Sequence, residues 1–387
     1  MEQDGHSFQG AHSAERNSHG TVEAQALKRV FISDCEGPIS KNDNAYEITA
    51  QFVPHGDKLF TLISKYDDGL ADVLKKPGYS AGSTLKLILP FLKAYGVTDR
   101  QMEDFSAQKL ILIPNSEDTL QHVRSVASAF IVSTSYEHYI KALCEALSFP
   151  HENTYCTKLN LDKYDVNEKE KKRIKKIAEE IVQMPLIAIP PKATSINDFS
   201  TGDKETIRRL DTIFWSEIAG MNLGRIFSEV TTVGGSQKAA AIEDAVAKLS
   251  VPLEDVMYVG DSITDVEAFQ LVRENGGLTV SFNGNSFAVE NAEVAVLSAN
   301  SIVTAVIADV FCRQGKQAAL DLVENWNLQS LERSGVVSLA LLDHLFTLYP
   351  QILPKVQILT AENMEPLAEE SSEFRKRVRG EAIGKLG

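Results

Sequence analysis

The sequence predicts an α/β fold in which a parallel sheet wound with helices is split by two insertions and followed by a helical extension. Three observations carry this. After Gly224, helical stretches alternate with short β-branched runs, the rhythm of a helix-covered parallel sheet. Two further β-branched runs, ending at Ser33 and Ser133, stand upstream and are separated by long helical segments. Three of the predicted strands end in carboxylates or hydroxyls, and ligands of open parallel sheets collect beyond the carboxyl ends of the strands.

Taken in order, Arg29–Ser33 reads as a short buried strand, and Asn44 to about Gln108 as mostly helical. "SEDTLQHVRSVASAFIVSTSYEHYIKALCEAL" reads as helix, strand and helix, with Ser116 as N-cap and "AFIVS" ending at Ser133. In "NEKEKKRIKKIAEEIVQ" the isoleucines 174, 177 and 181 fall at helical spacing, which makes the lysines a solvated face. Pro190-Pro191 breaks the chain before another helical stretch around Thr206 to Ile218. Then come helix "KAAAIEDAVAKL", strand "VMYVGD", helix "DVEAFQLVRENG" and the strands "LTVSF" and "EVAVLS". From about Ser301 onward the pattern is helical with no strand. The expected organisation is a tail at 1–27, a core from 28–40, 112–150 and 225–300, insertions at 41–111 and 151–224, and an extension at 301–387.

A chain of 387 residues can bury a sizeable core in more than one domain. The formal net charge of −14 disfavours nucleic acid and anionic membrane as partners. Four scattered cysteines make no metal-ligand pair and suit a reducing compartment. With no apolar run approaching the roughly 18 residues of a membrane span and no signal peptide, a cytoplasmic protein is expected.

The strand ends deliver "DCEG" at Asp34 to Gly37, "STS" at Ser133 to Ser135 and "GDSITD" at Gly260 to Asp265, with "GGSQK" opening a helix at Lys238. Carboxylates, hydroxyls, a lysine and loop amides are what phosphoryl transfer requires. A nucleophile must be placed in line, its charge must be screened, and the equatorial oxygens must be held.

In this order the four pieces resemble the motifs of the haloacid dehalogenase-like hydrolases, and "QKAAAIEDAVAKLSVPLEDVMYVGDSITDVEAF" is similar in style to their phosphoserine phosphatase branch. "DCEGP" also resembles an archaeal group labelled as a hydrogenase subunit. The resemblance implies a Rossmann-like doubly wound parallel sheet with a helical cap inserted after the first strand. It also implies a Mg²⁺-dependent phosphatase acting on a small phosphorylated metabolite. By carry-over, Asp34 is the nucleophile and Glu36 the general acid/base. Ser133, Thr134 and Lys238 bind phosphate. Asp34, the Glu36 carbonyl and Asp261 hold the metal, and Asp265 acts there through water or by orienting Lys238. The insertion at 41–111 forms the cap; the one at 151–224 joins the cap or braces the core.

Two positions depart from the family. Glu36 stands where Asp is usual, which moves the carboxyl by about 1.5 Å. Pro38 removes an amide donor. Other readings compete. A Cys35-based phosphatase loop would need Arg where Lys41 stands, and lysine cannot form the bidentate fork. The basic run "FRKRVRG" reads as a salt-laced surface segment. The same fold also serves as a phosphotransferase, a dehalogenase, or a non-catalytic assembly protein whose C-terminal helices meet a protein partner or a second copy.

Overall fold

The computed structural model describes residues 29–76 and 79–386; the tail expected at 1–27 lies outside them. Seven strands form one sheet: β1 (Val30–Ser33), β2 (Ser128–Tyr136), β3 (Thr154–Thr157), β4 (Val256–Gly260), β5 (Leu278–Phe282), β6 (Val294–Leu297) and β7 (Lys355–Ile358). Their spatial order is β3-β2-β1-β4-β5-β6-β7. All neighbours run parallel as far as β6, and β7 closes the edge antiparallel to it. The chain winds outward from β1 through β2 to β3, then returns to place β4 on the other flank of β1. That reversal makes the crevice between β1 and β4 the switch point where open α/β sheets bind ligands.

Both faces of the central strands are covered, so these strands read as continuous apolar runs. Phe31, Ile131 and Val259 pack under helices Ser116–Val126, Glu137–Leu147 and Ile302–Gln314. Ile32, Val132 and Tyr258 pack under helices Ser236–Leu249 and Val266–Glu274. Helix Ile302–Gln314 is buried from Ile302 through Cys312, so the core sandwich extends into what reads as a C-terminal extension.

Four expectations are corrected here. β3 falls inside the segment expected as the second insertion, so the core sheet continues past residue 150. β7 falls in the expected all-helical extension; its alternating burial leaves Val356 alone fully inside, too little to register as a strand pattern. Strand β2 runs to Tyr136 rather than ending at Ser133, with a register irregularity between Val132 and Tyr136. Ser116 is the first helical residue rather than the cap, and its hydroxyl donates to the Ile39 carbonyl at 2.8 Å.

The two insertions form one body. Leu59, Ile63, Tyr66 and Ile88 of the first share an apolar cluster with Ile174, Ile177, Ile181 and Phe214 of the second. Tyr66 stacks on Phe214 with ring centroids 5.7 Å apart, and its hydroxyl donates to Asp211 at 2.6 Å. The second segment therefore completes the cap that the first begins. Among the described residues, no helix is long and apolar enough to cross a membrane.

Candidate active site

At the end of β1 the Asp34 amide still donates to Val259 of β4 at 2.8 Å, which holds the residue in the crevice. The chain then turns tightly, with Ile39 and Ser40 both donating to the Cys35 carbonyl. Asp34 Oδ1 accepts the Cys35 amide at 2.6 Å, while Oδ2 lies 2.8 Å from Lys238 Nζ. Cys35 itself is fully buried, and burial pushes its thiol well above the ordinary range, as suits a filler between two acids.

Lys238 enters from the first turn of helix Ser236–Leu249 and is wholly enclosed. Its Nζ also lies 2.7 Å from Asp265 Oδ1. Burial works against the ammonium, but the Asp265 and Asp34 carboxylates outweigh it and hold Lys238 charged. Asp265 accepts further from the Tyr258 hydroxyl at 2.6 Å and from the amides of Asp261 at 2.9 Å and Ser262 at 3.0 Å. Both oxygens of Asp265 are thus engaged, one of them by Lys238. Burial raises the Asp34 pKa to about 7; Lys238 pulls it down, and the Asp265 and Asp261 charges add to the rise.

Ser133 and Thr134 line the same cavity as Asp34, Glu36 and Asp261. Ser133 Oγ accepts the Ser135 amide at 3.2 Å, and the Thr134 hydroxyl is buried with no partner among the described residues. A partnerless hydroxyl on a cavity wall is free to bond a bound polar group. Glu36 turns its longer arm toward the cap, where Oε1 accepts the Asn44 amide at 2.6 Å. Burial, with the Asp43 charge, pushes its carboxyl well above the usual range.

The cavity measures about 90 Å³, room for a phosphate-sized group. Its cap wall includes Asp43, Phe60, Asp67 and Asp68. Asp67 Oδ2 gathers the Gly82 amide at 3.0 Å and the Thr84 amide at 2.9 Å, tying that loop to helix Gly56–Asp68 of the same insertion. Gly82, at φ +88°, comes so close that a Cβ would stand 2.8 Å from Thr134 Cγ2. The first insertion thus forms one wall of the cavity and touches the core at Thr134.

Carboxylate oxygens of Asp34, Asp261 and Asp265 lie within 4.8 Å of one another, a group that could hold a metal ion. Asp261 is also held by two residues that sequence reasoning misplaced. Arg375 donates to both its Oδ2 and its backbone carbonyl, and Arg379 Nη1 lies 3.0 Å from Oδ2. The run "FRKRVRG" is thus a correction: Lys376 pairs with Glu373 and Arg377 stacks on Phe374, but Arg375 and Arg379 turn inward. Their i, i+4 spacing was the available signal, since it puts both on one helix face.

The family model described as haloacid dehalogenase-like hydrolase matches residues 112–309, just over half of the chain. A solved gene product of Archaeoglobus fulgidus is 25% identical, with a TM-score of 0.75 over 93% of this chain and 99% of its own. A substrate-bound phosphoserine phosphatase is 14% identical, with a TM-score of 0.43 over 70% of this chain and 94% of its own. No curated protein sequence matches the chain.

Proposed function

The chain belongs to the haloacid dehalogenase-like hydrolases, and we propose that it is a Mg²⁺-dependent phosphatase that hydrolyses a small phosphomonoester through an aspartyl-phosphate on Asp34. The observation that carries this is Lys238, buried and paired at once with Asp265 and with Asp34, which lines a phosphate-sized cavity. A lysine held against Asp34 answers the charge of an incoming phosphate.

In this reading Asp34 attacks phosphorus, the ester P–O bond breaks, and protonated Glu36 gives its proton to the leaving oxygen. Glu36, now ionised, then takes a proton from the water that cleaves the aspartyl-phosphate, which restores both carboxyl groups. Lys238 and the hydroxyls of Ser133 and Thr134 hold the phosphoryl oxygens. The cap wall keeps other water out.

The donor set fits Mg²⁺: oxygen atoms alone, from buried carboxylates within reach of one another. Asp34, Asp261 and the Glu36 carbonyl would hold the ion. Bound there, it supplies charge screening between the nucleophile and the phosphoryl group. The cavity's size under its cap favours a small phosphorylated metabolite over a phosphoprotein.

The test is phosphate release from a broad panel of phosphomonoesters, with Mg²⁺ and with chelator, on the wild type and Asp34→Asn. Metal-dependent turnover lost in Asp34→Asn supports the reading. Absence of turnover across the panel, with the cation still bound, moves the choice to a non-catalytic protein on the same fold.

A further inference from the structure

Two arginines from the far end of the chain hold the carboxylate that this reading gives to a divalent cation. Arg375 and Arg379 project from helix Met364–Arg379, a segment outside the 112–309 family match. Their side chains are 3% and 4% exposed, and that of Asp261 is 2% exposed. A carboxylate this deep requires a counter-ion, because an unpaired buried charge costs several kcal/mol. Here the arginine pair is that counter-ion.

The same arginines grip the entrance to the cap. Arg379 donates through Nε to the Lys41 carbonyl at 3.1 Å and through Nη2 to the Asn42 carbonyl. Those carbonyls stand where the chain leaves the core for the cap. Arg375 Nη2 reaches the Leu386 carbonyl at 3.4 Å, and Leu386 packs into the cap's apolar cluster and lines the cavity. Arg375 Nε is buried with no partner among the described residues, an open donor in a residue that lines the cavity.

We infer that the C-terminal helix is a latch whose arginines compete with a divalent cation for Asp261. The inference rests on the proposed role of Asp261 as a metal ligand. Two guanidinium groups and a dication crowd one carboxylate in a poorly screened interior, where like charges repel strongly. Cation binding therefore loosens the helix from Asp261 and from the cap entrance. By reciprocity the docked helix weakens cation binding by the same factor. The released arginines stay beside the cavity, available to an anionic substrate.

The experiment titrates Mn²⁺ calorimetrically into the full chain as wild type, Arg375→Met, Arg375→Lys and Asp261→Asn. Arg375→Met is expected to bind roughly tenfold tighter, within the usual range of site–site coupling. Arg375→Lys keeps the charge and should stay near wild type, and Asp261→Asn should lose binding. A folded Arg375→Met with unchanged or weaker affinity overturns the latch, as does an absence of binding in every variant. A measurement on the wild type needs no substitution: Mg²⁺ should speed amide exchange across residues 364–386. Slower or unchanged exchange there counts against the latch. Coupling without phosphatase turnover would leave the latch standing and remove the phosphatase. Metal-dependent turnover with an affinity indifferent to Arg375 would do the reverse.

Discussion

Gly37 and Asp261, 224 positions apart, approach so closely that a side chain at position 37 would overlap the Asp261 carboxylate. Gly37 also sits at φ +114°, where L-residues are strained. The turn after β1 and the turn after β4 are thus fitted to each other. Gly37→Ala is expected to cost about 1–3 kcal/mol in backbone strain and to push Asp261 out of place, removing turnover. Urea unfolding and phosphate release check this. A variant with wild-type stability and rate would show that the turn yields freely.

Lys238→Met leaves Asp34 and Asp265 buried without their shared cation. Breaking one side of a buried pair typically costs about 3–5 kcal/mol, and that loss is expected in chemical denaturation. Adding Asp265→Asn removes one of the stranded charges, so the double variant should recover part of the stability. Strictly additive losses would mean that the ion pair is not the coupling element.

Glu36→Gln keeps an oxygen for the Asn44 amide but cannot move a proton. Its unfolding free energy should match wild type, while kcat falls about 10²- to 10⁴-fold with little change in KM. Glu36→Asp, shorter by about 1.5 Å, should lose the hydrogen bond to the start of helix Asn44–Phe52 and lose stability instead. Steady-state kinetics beside melting curves separate the two, and a fully active Glu36→Gln would remove Glu36 from the proton path.

Asp67, on the cap wall of the cavity, gives a pH dependence of stability. Burial raises its pKa from 3.8 to about 6 in the folded protein. Between those values the folded state binds more proton than the unfolded one, so stability falls as pH rises across the window. The shift corresponds to at most about 3 kcal/mol. Asp67→Asn retains an oxygen for Gly82 and Thr84, and its stability should fall less than that of wild type from pH 4 to pH 6.5. Equal declines in both proteins would place the effect elsewhere.

The motifs that follow β1 and β4, and the one in the last residues of β2, were legible because each is local: a buried apolar run leading into polar residues. The lysine-rich helix was legible for a similar reason, since Ile174, Ile177 and Ile181 mark its buried face by spacing alone. Strands β3 and β7 were not, because four residues at a sheet edge carry little pattern and exist through their partners. The merging of the two insertions was hidden as well, because Tyr66 and Phe214 meet only after the chain has crossed the core.

The sequence by itself determined that a wound sheet would gather Asp34, Lys238, Asp261 and Asp265. Only the tertiary structure decided the state of Asp261. A run of arginines reads as solvated surface because exposed charge is the ordinary outcome. Arg375 is buried instead because a carboxylate 114 positions earlier neutralises it there. That pairing is a long-range balance of attraction against desolvation, and no local stretch of sequence records it.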